Sequence, residues 1–109
     1  MNTESYKKDI HESCLKIADL ANEFNIKVVF FIDYPEIEIF RKRQEDIDEL
    51  LCSLDKNGHS IQLHIHPALI NDEASPDISF YSLDRIKEMI SEGCRIITDV
   101  VGKRPIAFR

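Results

Sequence analysis

The chain has 109 residues, 43% hydrophobic and 31% charged, with a formal net charge of −6 and a pI near 5.1. That length suits one small domain covering 1–109, and the mixture is globular rather than disordered. The acidic balance argues against a nucleic-acid or anionic-membrane surface, which would need clustered Lys and Arg.

At the amino terminus, Met1 to Ser5 are polar with no apolar segment behind them, so no signal peptide is expected. Ile10, Cys14, Ile17, Ala21 and Phe24 recur at steps of four and three, which predicts one face of an amphipathic helix stopping at Asn25. Lys27 to Asp33 is a continuous run rich in β-branched and aromatic residues, expected as a strand covered on both faces and ended by Pro35. Its apolar part, Val28 to Ile32, is the longest such run in the chain and far too short to span a bilayer. An aspartate in the position of Asp33 more often caps a turn than binds a metal, and the cap is the reading favoured here. A second helix is expected from about Arg41 to Asn57, with Arg41-Lys42-Arg43 as its solvated start. Ile47, Leu50, Leu51 and Leu54 would form its buried stripe, with Gly58 as the left-handed cap.

The stretch from Gly58 to Pro67 (Gly-His-Ser-Ile-Gln-Leu-His-Ile-His-Pro) alternates apolar and polar residues. In a strand, Gln62, His64 and His66 share one face, while Ile61, Leu63 and Ile65 share the other and can bury. Same-face neighbours lie about 6.5 Å apart along a strand, close enough for two imidazoles to lean onto one divalent ion. A strand histidine is also often a hydrogen-bonded or half-exposed side chain, so the spacing alone leaves both readings open. His59, after a helix end, reads as structural, a cation complementing the helix dipole. Asn71 to Asp77 form a polar loop that suits either a site edge or a plain connection.

Ser82 can cap a third helix carrying Leu83, Ile86, Ile90, Cys94, Ile97 and Val101 on its apolar face, with Gly93 a tolerated interruption. Gly102 would end it, and Ile106 to Arg109 would begin a third strand. Cys14, Cys52 and Cys94 show no metal or disulfide spacing and are expected as buried, reduced thiols in a cytoplasmic protein. Alternating helices and short strands imply parallel pairing, with ligands beyond the carboxyl ends of the strands. Asp33, the His64/His66 pair and Arg109 all fall at or near such ends.

Three segments together resemble the polysaccharide deacetylase family (the NodB-homology domain of carbohydrate esterases). These are Lys27 to Asp33, Gly58-His59 through Pro67, and Lys103-Arg104-Pro105-Ile106-Ala107-Phe108-Arg109, in the family's order. The resemblance implies an α/β fold, a partial (β/α) barrel of about three parallel strands alternating with three helices. It implies that His64 and His66 bind a divalent metal, zinc above all, and that Arg109 orients the catalytic base. The family usually separates its two histidines by three residues, and here Ile65 alone intervenes. Its paired aspartates, one the base and one a metal ligand, have no counterpart, because Asp9 and Asp19 lie in a helical pattern without an aspartate neighbour. Its acetyl pocket and histidine acid would follow Arg109. The chain thus reads as the middle of a deacetylase domain.

In the family, a zinc-type ion polarises an N-acetyl carbonyl and its bound water, a base takes that water's proton, and an acid protonates the leaving amine. The expected substrate of the parent protein is an N-acetylated carbohydrate. The chain by itself is expected to be inactive and to self-associate through exposed sheet edges. Two other readings stand beside this one: a non-catalytic metal- or carbohydrate-binding α/β module, and a compact flavodoxin-like open sheet in which the histidines are structural.

Overall fold

A computed structural model describes residues 6–66 and 77–109. A π-helical stretch, Tyr6–Glu12, runs into helix α1, Ser13–Glu23. Strand β1 is Val29–Asp33, followed by helices α2, Tyr34–Lys42, and α3, Ile47–Lys56. Strand β2 is Ser60–His64, and a 3-10 turn at Ile78–Phe80 leads into helix α4, Leu83–Val101. The described chain is therefore mixed α/β, with four α-helices and two parallel strands.

β1 and β2 pair in parallel, from Val29↔Ser60 to Asp33↔His64. On the other side of β2 the carboxyl-terminal segment makes one parallel bridge, Leu63↔Phe108. The Leu63 amide donates to the Ala107 oxygen (3.2 Å) and the Arg109 amide to the Leu63 oxygen (3.0 Å). The third strand expected at 106–109 is thus a single bridge, and β2 lies between it and β1. Ile61, Leu63 and Ile65 are buried, as the alternation predicts, in a core with Ile37, Phe40, Leu50, Leu54, Met89, Ile96 and Ile97.

The helix expected from Arg41 to Asn57 is two helices. Pro35 stops the strand because it starts α2, where its missing N–H costs nothing and its fixed φ suits the first turn. Arg41 and Lys42 end that helix rather than begin one, so their charges meet the carbonyl end of its dipole. Gln44 turns the chain at φ 61°, with the Glu45 amide bonded to the Phe40 oxygen and the Gln44 amide to the Arg41 oxygen. The expected stripe Ile47, Leu50, Leu51 and Leu54 is buried on α3, and Gly58 follows at φ 90°.

Two helix faces differ in part from those expected. In α1, Ala18 and Ala21 are buried with Cys14 beside the core, while Ile17 and Phe24 are 51% and 71% exposed. In α4 the expected Ile97 is buried and Ile90, Cys94 and Val101 pack against the core, but Met89, Gly93, Ile96 and Val100 are buried as well and Leu83 is exposed. Ser82 caps α4 by accepting from the Arg85 amide (3.2 Å), and Gly102 ends it at φ 82°. The cysteines are free and half-buried, and burial pushes the Cys14 thiol pKa up. Pro67 and the loop expected at 71–77, apart from Asp77, lie outside the described residues.

Candidate metal centre

Asp33 closes β1 and His64 closes β2, and the register makes them partners. Registered residues of parallel strands project to the same face on chains about 4.8 Å apart. His66 stands two residues beyond His64 and returns to that face. One ligand atom from each of Asp33, His64 and His66 lies within 4.8 Å of the others. Asp33 is 4% exposed, His64 half-buried and the His66 side chain 54% exposed, so the group has a buried floor and an open mouth.

The contacts orient both rings. His64 Nδ1 lies 2.6 Å from the main-chain oxygen of Arg109, which can only accept, so this nitrogen carries the proton. His66 Nδ1 contacts the Asp33 carboxylate at Oδ2, an acceptor in its ionised form, while the His66 amide donates to Oδ1 (3.0 Å). The two rings turn their Nε2 atoms toward each other, 3.0 Å apart. Two ring nitrogens that close hold either a hydrogen-bonding proton or a metal ion between them. A small outward movement of the imidazoles would let both nitrogens reach one metal ion. The donor set of two imidazoles and a carboxylate could hold a metal ion, with the carboxylate supplying compensating charge.

Asp33 does not play the favoured capping part. It occupies the cap position of α2 but makes no side-chain cap bond, and its carboxylate goes to His66. Arg109 reaches the site through its main-chain oxygen rather than through a guanidinium contact; its side chain is exposed. His59 is structural, though not as a solvated cation. It is 2% exposed, its Nδ1 accepts from the Val28 amide (3.0 Å), its ring meets Phe30 edge-on, and its Nε2 is buried without a partner among the described residues.

Two residues with no assigned role in the sequence belong to this neighbourhood. Gln62 Oε1 accepts from the amides of Ile106 (2.7 Å) and Ala107 (2.9 Å), which anchors the segment whose Arg109 oxygen orients His64. Its place two residues before His64 on the same face was the available signal. Glu36 sits in the first turn of α2, one turn beyond Asp33, and is half-buried. Burial, then the Asp33 charge, raises its carboxyl pKa, while His66 and His64 pull it down.

Comparison of the chain with family models, with curated proteins and with solved structures finds no match in any of the three.

Proposed function

We propose that this chain carries the metal centre of a zinc-dependent deacetylase acting on an N-acetylated carbohydrate, on a barrel of the polysaccharide deacetylase type. The observation that carries the reading is the Asp33–His64–His66 group at the carboxyl ends of two parallel strands, where α/β sheets place their ligands. His64 and His66 would hold the ion through Nε2. Asp33 would serve either as a third ligand or as the carboxylate behind His66 that fixes its ring. The ion would polarise the acetyl carbonyl and lower the pKa of a water toward ~7. Arg109 would use its main-chain oxygen to hold the His64 tautomer and its side chain to orient a base. Three free cysteines favour a reducing, cytoplasmic setting. Among the described residues no helix is long and apolar enough to cross a membrane.

Isothermal titration with zinc tests the reading. Wild type is expected to bind one zinc per chain, with His64→Ala, His66→Ala and Asp33→Asn each weakening it at least about tenfold. Equal binding by all four proteins rejects it.

A non-catalytic metal- or carbohydrate-binding module is the second reading, favoured by the openness of the site. His66 is half exposed, and a groove of about 730 Å³ runs instead between α2 and α4, lined by Tyr34, Glu38, Arg85 and Glu92. Acetate release from an N-acetylchitooligosaccharide by the zinc-loaded protein separates the two, since only the deacetylase yields it.

A further inference from the structure

Glu36 is a half-buried carboxyl with no hydrogen-bond or ion-pair partner among the described residues. Neither of its carboxylate oxygens is among the buried atoms left without a partner, so both keep access to water and can hold a water molecule. Its position is set by the chain path. β1 delivers Asp33 to the site, Pro35 turns the chain at once into α2, and Glu36 occupies the third helical position, one turn above Asp33. Residues three apart at a helix start lie on one face, so Glu36 shares the face of α2 that carries Asp33. Its carboxyl is nevertheless not among the atoms gathered within 4.8 Å that could hold an ion. A carboxylate beside a metal group but outside the ligand sphere stands where it can face a molecule on the ion rather than the ion itself.

We infer that Glu36 is the proton acceptor of this site, holding and deprotonating a water molecule that sits over the Asp33–His64–His66 group. The assignment rests on the metal reading above and adds to it the base that the sequence lacked in its usual paired-aspartate form. In the step, a water O–H bond breaks and its proton passes to Glu36. The water oxygen bonds to an acyl carbon, the bond to the leaving group breaks, and Glu36 returns its proton to the departing atom or to solvent.

The simplest probe is zinc-dependent hydrolysis of 4-nitrophenyl acetate, whose good leaving group needs no acid. A general base contributes on the order of 10²–10⁴, so Glu36→Gln is expected to lose about 100-fold of the zinc-dependent rate, with zinc affinity within threefold of wild type. Glu36→Asp, keeping the carboxylate on a shorter stem, is expected to fall between. A readout independent of turnover is carbon-13 NMR of the Glu36 carboxyl in wild type. A cation at the site favours the charged form, so zinc should lower its titration midpoint by about one pH unit or more. A rate retained within threefold in Glu36→Gln, or an unmoved midpoint, overturns the role of Glu36 and leaves the metal site standing. So does zinc binding with no hydrolysis beyond that of free zinc. Failure of wild type to bind zinc removes both.

Discussion

A β-carbon at position 93 would lie 2.5 Å from Leu63 Cδ1 and 2.9 Å from Tyr34 Cδ1, both closer than real contacts allow. Gly93 is therefore where α4 touches the sheet, not an interruption of an apolar face. Leu63 is 1% exposed and Tyr34 5%, so neither has room to move, and burial pushes the Tyr34 phenol pKa up to about 12. Alanine would regain up to about 1 kcal/mol of helix propensity, but overpacking a filled core costs about 1–3 kcal/mol. Gly93→Ala is expected to lower the melting temperature by several degrees, measured by circular dichroism; an unchanged or higher value would mean that Leu63 yields freely. Because Leu63 directly precedes His64, the same variant should also loosen the histidines. Periodicity could not assign this role, since a glycine looks alike on either face of a helix. Asp33 was ambiguous for a related reason. Local sequence favoured a cap, and only the register with His64, set by residues thirty positions away, turns its carboxylate to the imidazoles.

Elements defined by local chemistry were legible in the sequence: β1, the alternation of β2, the Ser82 cap, and the Gly58 and Gly102 stops. The spacing of His64 and His66 was legible as well, because a strand's period of two needs no partner to act. What stayed hidden was α2. Its nine residues fall short of a full periodic signature, and its proline reads as a strand breaker until the strand's end is known to be the helix's start. Its end was masked by Gln44, which adopts φ 61° where glycine or asparagine is usual. A long side chain in that conformation costs roughly 1–2 kcal/mol, partly offset in a glycine variant by greater freedom of the unfolded chain. Gln44→Gly is thus expected to raise the melting temperature by a few degrees. Asn25→Gly should raise it less, since Asn25 turns at φ 57° with a side chain suited to that region. A lower melting temperature for Gln44→Gly would mean that the glutamine makes a stabilising contact. The link from Gln62 through Ile106 and Ala107 to the Arg109 oxygen was also out of reach, because it joins residues more than forty positions apart.

At the scale of the molecule, the two sides of the sheet are unequal. The helix side is filled, but among the described residues β1 has a paired neighbour only in β2, which leaves its outer edge open. On α1, Ile17 and Leu20 are 51% and 57% exposed; Phe24 and Ile26, between α1 and the edge strand, are 71% and 59% exposed, and Val29, which begins that strand, 51%. The radius of gyration, 14.5 Å, exceeds the roughly 13 Å of a compact chain this long. An open strand edge flanked by apolar side chains is a template for pairing, and the only edge certain to be present in solution is that of a second copy. Two β1 strands can pair antiparallel about a two-fold axis, bringing both α1 stripes against the joined sheet. The expected outcome is concentration-dependent association, seen by light scattering as a mass above the 12.7 kDa of one chain. Val29→Lys, which places a charge on the edge, and Leu20→Lys, which places one on the α1 stripe, should each shift the protein toward monomer. Val29 pairs with Ser60, at the opposite end of the strands from His64, so zinc binding should be unchanged in Val29→Lys. A wild-type protein that stays monomeric from micromolar to millimolar concentration would show that these apolar side chains tolerate water, and that the open edge of β1 is not a pairing surface.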